Sequence, residues 1–492
     1  MKNHSSLATR RAALVAAFGT AFLSACGGGG SSEDPPAPPP PSPPPPPPPS
    51  PAPSAVVAPT ITRSPASTTV IAGATASFDV ETGGGPVTAY QWLREGMDVA
   101  GATAPSYSLA PVSLLESGKS YAVRVGNSAG STTSETAMLT VTSLPVTLVA
   151  GIRDLVGDED GAATVARFNA IGDASMVPIA ADDEGNVYLA SYAPAPGSGS
   201  VTLIRKVAVD GTVTILAGVR GDSGFLDGTG SAARFRYIVA MFYDRARKLL
   251  VVVDTVWDVP TPNFYLVREV TLGGKVTTVG GFMRAEQLKA PASFNGNIRM
   301  AMAPDGTIYF AGGNVVQAGG FGNTYLPTAV FKIPPGGAAA VMAGDIGLQG
   351  SVDGVGGNAR FHRIEALAAD SAGNVFAAEY GRLRKIAPDG TVTTLVGSLA
   401  EPVLGTPDRF ADGQGPAAAL STLPSALAVE ASGSVLAYDD RYLRRITAGG
   451  SVVTLADLGA FSRGRLALDA AGKAYFTSRG WVGRVDGLMT PV

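Results

Sequence analysis

One two-strand unit constrains this chain more than anything else in it. GRLRKIAPDGTVTTLVG at residues 381–397 is two apolar-alternating runs around a Pro-Asp-Gly turn. Near-copies stand at residues 203–218 (LIRKVAVDGTVTILAG), 266–281 (LVREVTLGGKVTTVGG) and 443–459 (LRRITAGGSVVTLADLG). Such a unit cannot bury its own apolar face. Recurrence at a spacing of roughly 50 to 65 residues therefore implies an array in which each copy packs on the next.

Each copy is preceded by a hairpin with a turn at its centre: residues 182–191, 243–254, 303–312, 370–379, 430–439 and 469–478. An inner strand, a hairpin and the third and fourth strands make a four-stranded unit, and six such units predict a β-propeller. A seventh fourth-strand candidate, VTLVAG at residues 146–151, comes before any inner strand. It is expected to pair into the sixth unit and close the ring, because an unpaired edge is a liability.

Several inner strands follow a crossover signature: GFLDGTGSAARF at 224–235, GSVDGVGGNARF at 350–361, and a looser GDEDGAATVARF at 157–168. The fifth unit keeps only ADGQGPAAAL at 411–420, the third lacks the Asp-Gly part, and the sixth has none of it. Asp-Gly-x-Gly, then Ala-Arg-Phe, then an Ile-Arg-Lys strand resembles the NHL repeat. The resemblance implies a six-bladed NHL-type propeller over residues 144–492.

Comparing units yields a pairing rule. Second strands end in Ser191, Asp254, Gly312, Glu379, Asp439 and Ser478, and the matching third-strand positions are Arg205, Arg268, Phe331, Arg384, Arg444 and Gly483. An acid is always matched by Arg. Structural ion pairs are therefore expected for Asp254 with Arg268, Glu379 with Arg384 and Asp439 with Arg444, since a lone charge inside a sheet is costly.

Residues 58–143 alternate at period two in short runs broken by Gly, Pro and Ser, as a β-sandwich does. GATASFDV at 73–80, Trp92, and the run at 120–141 resemble strands B, C, F and G of an immunoglobulin-like domain. That resemblance puts Val80 and Val123 where the family has its cysteine pair, and Tyr121 at the tyrosine-corner place.

The first 26 residues carry Lys2, Arg10 and Arg11 ahead of an apolar run at 12–22 too short to span a bilayer, the pattern of a signal peptide. Leu23-Ser24-Ala25-Cys26 resembles the lipobox of bacterial lipoproteins. The resemblance implies acylation of Cys26, a membrane anchor, and a place in the cell envelope, with Gly27 favouring the outer membrane. Residues 27–57 are a Gly/Ser- and Pro-rich linker with fifteen prolines between Pro35 and Pro53. Removing residues 1–26 takes three of the 37 basic residues and none of the 40 acidic ones, leaving a net charge of −6. Nucleic acid is not an expected partner of such a chain.

His362 is the one histidine beyond the signal peptide, and Cys26 the one cysteine. Triad catalysis and zinc ligation both draw on those residues. No catalytic residue, metal or cofactor is expected, and the chain reads as a binding protein rather than an enzyme. A carboxylate- or metal-dependent lyase or hydrolase at the central channel, or a structural spacer, are the alternatives. The connections between second and third strands are long in units one to three and carry Tyr192, Trp257, Asp258, Phe264, Tyr265, Phe321 and Tyr325. Aromatic loops on a rigid scaffold suit recognition of a protein or glycan. Tyr380, Asp440, Arg441, Arg479 and Trp481 are expected to complete the rim.

Overall fold

The computed structural model describes residues 42, 55–169, 177–194, 200–256, 264–283, 299–312, 315–318, 322–325, 328–399, 410–422, 424–459 and 464–488. Cys26, the signal peptide, nearly all of the linker, and Trp257, Asp258 and Phe321 lie outside them. Among the described residues no helix is long and apolar enough to cross a membrane.

Residues 56–492 form one compact all-β unit. After residue 144 the chain makes six antiparallel sheets of like order. Their innermost strands are Ile179–Ala181, Ile238–Asp244, Met300–Met302, Ile364–Ala369, Ala426–Val429 and Leu466–Leu468. Each touches the next and the sixth touches the first, so the array is propeller-like, ringed about a channel. The four inner-to-outer strands of a typical sheet are Ile364–Ala369, Val375–Glu379, Arg382–Ile386 and Thr391–Val396. Sheet six takes its outer strand from the far end of the array: Val146–Gly151 pairs antiparallel with Trp481–Val485, Val146 opposite Val485.

Apolar seams join neighbouring sheets. Between sheets three and four, Tyr309, Val330 and Ala343 meet Phe361, Leu367 and Val375. The glycine of the recurrent turn is required by this stacking. A Cβ on Gly390 would stand 2.7 Å from the Met342 carbonyl of sheet three, and one on Gly450 would stand 2.4 Å from Leu395 O of sheet four. Both also have positive φ, 85° and 82°.

In sheets two, four and five a short crossover strand, Gly228–Thr229, Gly354–Val355 or Gly413–Gln414, pairs with the outer strand as a strap. Among the described residues sheets one, three and six have four strands and no such strap strand, and in sheet one Gly161 makes a single isolated bridge to Val213 instead.

The preceding domain is built on a sheet that includes Thr68–Ile71, Ala137–Thr142, Lys119–Asn127 and Ala89–Arg94. Trp92 is fully buried, and its indole N–H donates to Ala104 O at 2.9 Å. Phe78, rather than Val80, fills the space beside it, its ring 4.8 Å from Tyr121, while Val80 is half-buried past the end of its strand. The Tyr121 hydroxyl donates to Glu116 at 2.7 Å. This domain docks on sheet five: Ser113 donates to Asp412, Leu144 N–H donates to Leu455 O, and Ile71 packs into the apolar cluster of sheets five and six.

Candidate functional site

The pairs named from sequence lie inside the sheets. Arg268 Nη1 is 3.2 Å from Asp254, Arg384 Nη1 is 2.7 Å from Glu379, and Arg444 Nη1 is 2.7 Å from Asp439, with all six side chains fully buried. A second acid completes each guanidinium. Asp227, Asp353 and Asp412, from the Asp-Gly of each strap, lie 3.0, 2.7 and 2.7 Å from the same arginines. Each of these aspartates also accepts the backbone N–H of a fourth-strand threonine, Thr278, Thr394 or Thr454. Strap carbonyls take further N–H bonds, as in Arg384 to Val352 O at 2.9 Å. The phenylalanine of Ala-Arg-Phe lies against the guanidinium, Phe235 at 4.7 Å from Arg268 and Phe361 at 5.0 Å from Arg384. Sheet five has Leu420 at that place, and Phe410 stacks on Arg444 at 4.1 Å instead.

Sheet one departs from this scheme at Ser191, and Arg205 is held by Asp160 at 2.7 Å over Phe168 at 4.8 Å. Sheets three and six fill the position with rings. A Cβ on Gly312 would lie 2.6 Å from the Phe331 ring, and one on Gly483 would lie 2.5 Å from that of Trp481. Trp481, expected at the rim, is 4% exposed, edge-on to Phe476 and covered by Arg153 at 4.3 Å.

The other expected rim residues divide. Strands Val187–Pro194, Ser200–Val207, Leu249–Val256 and Phe264–Thr271 run further than the sequence suggests, so Tyr192, Phe264 and Tyr265 belong to strands rather than to loops. Tyr265 is buried, against Phe310. Tyr325 ends strand Gly322–Tyr325, which pairs with Val315–Ala318 as a separate hairpin. Tyr380 is partly exposed beside His362, Asp440 has φ 59° in its turn, Arg479 is exposed, and Arg441 is bound by Asp457.

The polar convergence occurs at the channel. A cavity of about 280 Å³ is lined by all six innermost strands, its middle by Met241, Met302, Leu367, Leu427, Leu466 and alanines. At one end Arg245 spans from sheet two to sheet six, pairing with Asp183 at 3.1 Å and donating to Leu468 O at 3.0 Å. At the other end, where inner strands begin, stand Arg299 and Arg465. Arg299 is buried; it donates to Glu365 O at 3.0 Å and to the Glu365 carboxylate, which Arg363 also meets at 2.6 Å. Arg465 is half-buried and reaches Ser425 O at 3.4 Å. Burial, then the like charge of Arg299, pushes Arg465 down to about 10.

Tyr192 borders the same mouth, its ring 5.2 Å from Tyr237 and its hydroxyl donating to Ile238 O at 3.3 Å. Burial, then the neighbouring Tyr237, holds it well above the usual phenol range. The arrangement is a concave polar mouth over an apolar shaft, the general form of a small-molecule site. Among the described residues no three His, Cys, Asp or Glu side chains converge as metal ligands do.

Arg299 and Arg465 were missed in the sequence, although the signal is there. Each stands four residues before its hairpin, where the first, fourth and fifth units have Pro178, Ala366 and Ala426; in the second, whose hairpin is longer, the matching residue is Ala240. Aligning the inner strands as closely as the third strands exposes them.

No family model matches the chain, and no curated protein matches it. Solved structures similar to it include a Bacteroides thetaiotaomicron protein of unknown function, at 15% identity and TM-score 0.45, covering 88% of this chain and 98% of that one. They include the gluconolactonase XC5397 of Xanthomonas campestris, at 14% identity and TM-score 0.34, covering 65% of this chain and 96% of that one. A third is virginiamycin B lyase of Staphylococcus aureus, at 10% identity and TM-score 0.34, covering 65% and 97%. Two of these three are enzymes by name, which overturns the expectation of a non-enzyme drawn from the shortage of histidine. At these scores the likeness assigns no reaction.

Proposed function

We propose that this chain is an enzyme, a lyase or hydrolase, whose substrate enters the channel mouth bounded by Arg299, Arg465, Glu365, Tyr192 and Tyr237. The observation that carries this reading is two arginines brought to one mouth at positions where the other inner strands have proline or alanine. Guanidinium groups in a partly dry cleft stabilise negative charge that develops in elimination beside a carbonyl or in attack of water upon one. Glu365, between Arg299 and Arg363, positions the first of these. Tyr192, kept neutral by burial and donating to Ile238 O, bounds the mouth as an uncharged ring beside Tyr237.

The mouth belongs, in this proposal, to a six-bladed NHL-type propeller at residues 144–492, preceded by an immunoglobulin-like domain at 58–143 and a spacer at 27–57. The signal peptide at 1–26 and acylated Cys26 would hold it at the cell envelope, at the outer membrane. A second reading, recognition of a protein or glycan, is favoured by the hairpin Val315–Ala318 with Gly322–Tyr325, an addition to sheet three that is not repeated among the described residues of the other sheets.

The test is a turnover screen of the full chain against lactones and against substrates that eliminate beside a carboxylate, with R299Q/R465Q and Y192F in parallel. Turnover that falls about a hundredfold in the double variant supports the enzyme. No turnover of either class, together with retained glycan or protein binding, favours the second reading.

A further inference from the structure

Sheet one holds a clamp with one partner removed. Ser191 lies two residues beyond Leu189, the residue paired with Arg205. Asp254, Glu379 and Asp439 lie two beyond Val252, Ala377 and Ala437, the partners of Arg268, Arg384 and Arg444. The period-two alternation of a strand therefore puts Ser191 on the face of its arginine, where the other three sheets have a carboxylate. Its hydroxyl is fully buried and has no hydrogen-bond partner among the described residues.

Two more donors converge on that place. In each complete clamp Nη1 of the arginine donates to a crossover carbonyl and to the acid: Arg268 to Arg234 O and Asp254, Arg384 to Arg360 O and Glu379, Arg444 to Ala419 O and Asp439. Arg205 Nη1 makes one hydrogen bond among the described residues, to Arg167 O. A crossover N–H also meets each acid, as His362 donates to Glu379 at 2.7 Å and Ser421 to Asp439 at 3.0 Å. The counterpart in sheet one is Asn169, tied beside Ser191 by the Tyr192 N–H, which donates to Asn169 O at 3.1 Å. The Asn169 N–H meets no acceptor among the described residues. A cavity of about 10 Å³ lies against Phe168, Asn169 and Leu189 on the side of sheet six, room for one water-sized guest.

The acids of the crossover do not bar a further negative charge. Asp160 meets Arg205 Nη2 at 2.7 Å and Asp158 stands 3.9 Å from Nη1, but Arg220 draws on both, at 2.8 and 2.7 Å. The complete clamps of sheets four and five already hold two acids about one guanidinium. Donors buried without an acceptor cost more than the bond they would make, and a charged acceptor repays them best.

We propose that sheet one binds a small monovalent anion, chloride or formate, between Arg205, Ser191 and Asn169, in place of the carboxylate that sheets two, four and five supply from the chain. The anion completes the clamp that fastens the first crossover, whose only ladder contact among the described residues is the bridge from Gly161 to Val213. It acts beside the ring-closing strand, whose Gly151 N–H donates to Ala163 O at 2.8 Å, and it does not depend on the channel being a substrate site.

Thermal unfolding of the full chain is followed in sodium chloride, sodium formate and sodium gluconate at one ionic strength, gluconate being too large for the site. Chloride or formate is expected to raise the melting temperature along a saturating curve that gluconate does not produce. S191D, which supplies the carboxylate from the chain, is expected to lose that dependence, and S191A to need about tenfold more anion. No difference among the salts, as a buried water or an acidic side chain of the chain in that place would give, overturns the proposal, and so does a saturating response that S191D keeps. If S191D fails to fold, bromide diffused into crystals of the full chain decides it: an anomalous peak in contact with Ser191 and Arg205 supports the site, and no peak there overturns it.

Discussion

Sheets four and three solve the same packing problem with opposite chemistry. At one position sheet four buries Arg384, and bonds it to Glu379, to Asp353 of the strap and to two strap carbonyls, over the ring of Phe361. Sheet three lacks the Asp-Gly signature in its sequence and places Phe331 there, with Gly312 in place of the acid. A buried guanidinium costs least when its N–H groups are met, and three of the four partners named for Arg384 come from the strap. Where the Asp-Gly signature is missing from the sequence, in units three and six, the arginine goes with it. The clamp is therefore a device for fastening a crossover segment to a sheet, and its charge is a consequence of that task.

The largest expected effect follows from removing one side of a clamp. E379A leaves Arg384 with a single carboxylate, and the chain is expected to lose about 3 to 5 kcal/mol in urea unfolding. The double variant E379L/R384M, which imitates the apolar filling of sheet three, is expected to cost less than E379A alone. If it costs more, the two sheets are not alternative solutions.

A smaller effect distinguishes the clamps from one another. Asp254 sits 3.2 Å from its arginine, where the other two acids sit at 2.7 Å, and burial pushes its carboxyl up to about 6. Its folded value exceeds the free value, so the folded chain holds the proton more tightly than the unfolded one. Stability from this group is present at low pH and is lost as pH rises from about 4 to about 6, by up to roughly 3 kcal/mol. D254N is expected to flatten that slope. A wild-type slope that persists in D254N assigns it to other groups.

The smallest expected effect concerns the ring in sheet five. Phe410 reaches Arg444 from outside the Ala-Arg-Phe position, and F410L is expected to cost about 1 kcal/mol by thermal unfolding. F361L in sheet four is expected to match it, because the contact, rather than the place in sequence from which the ring comes, carries the energy.

Much of this was legible in the residues. Every unit with an acid at one position has arginine at the other, which pairs Asp254, Glu379 and Asp439 with Arg268, Arg384 and Arg444 without any structure. The surplus strand at Val146–Gly151 announces its pairing with Trp481–Val485 by arithmetic alone. The strap aspartates were seen as a turn motif and not as partners of the arginines, because that contact is made between segments about 30 to 40 residues apart, as in Asp353 with Arg384.

The rim was least legible. Tyr265 and Trp481 look like loop aromatics in sequence, yet the strands continue past them and turn both inward, where an aromatic ring gains most from burial. Phe78 stands beside Trp92 where spacing points to Val80, because spacing alone does not say where a strand ends; Asp79 is its last residue. Arg299 and Arg465 escaped for a different reason. A charge within an apolar inner strand breaks the pattern used to find that strand, and such breaks are where function departs from folding rules.

Ring closure also governs how the chain comes to exist. Thr147 donates to Asp486 across 339 positions of sequence, and the strand holding Thr147 has no ladder partner until Trp481–Val485 has been made. During synthesis five sheets can be complete while the first-made strand of the array still waits, its backbone groups unpaired, for the far end of the array to arrive. A contact of that span forms late, so the time the chain spends as an open arc is set by its own length. Every nascent molecule passes through a stage in which an edge fit to pair with another copy is exposed.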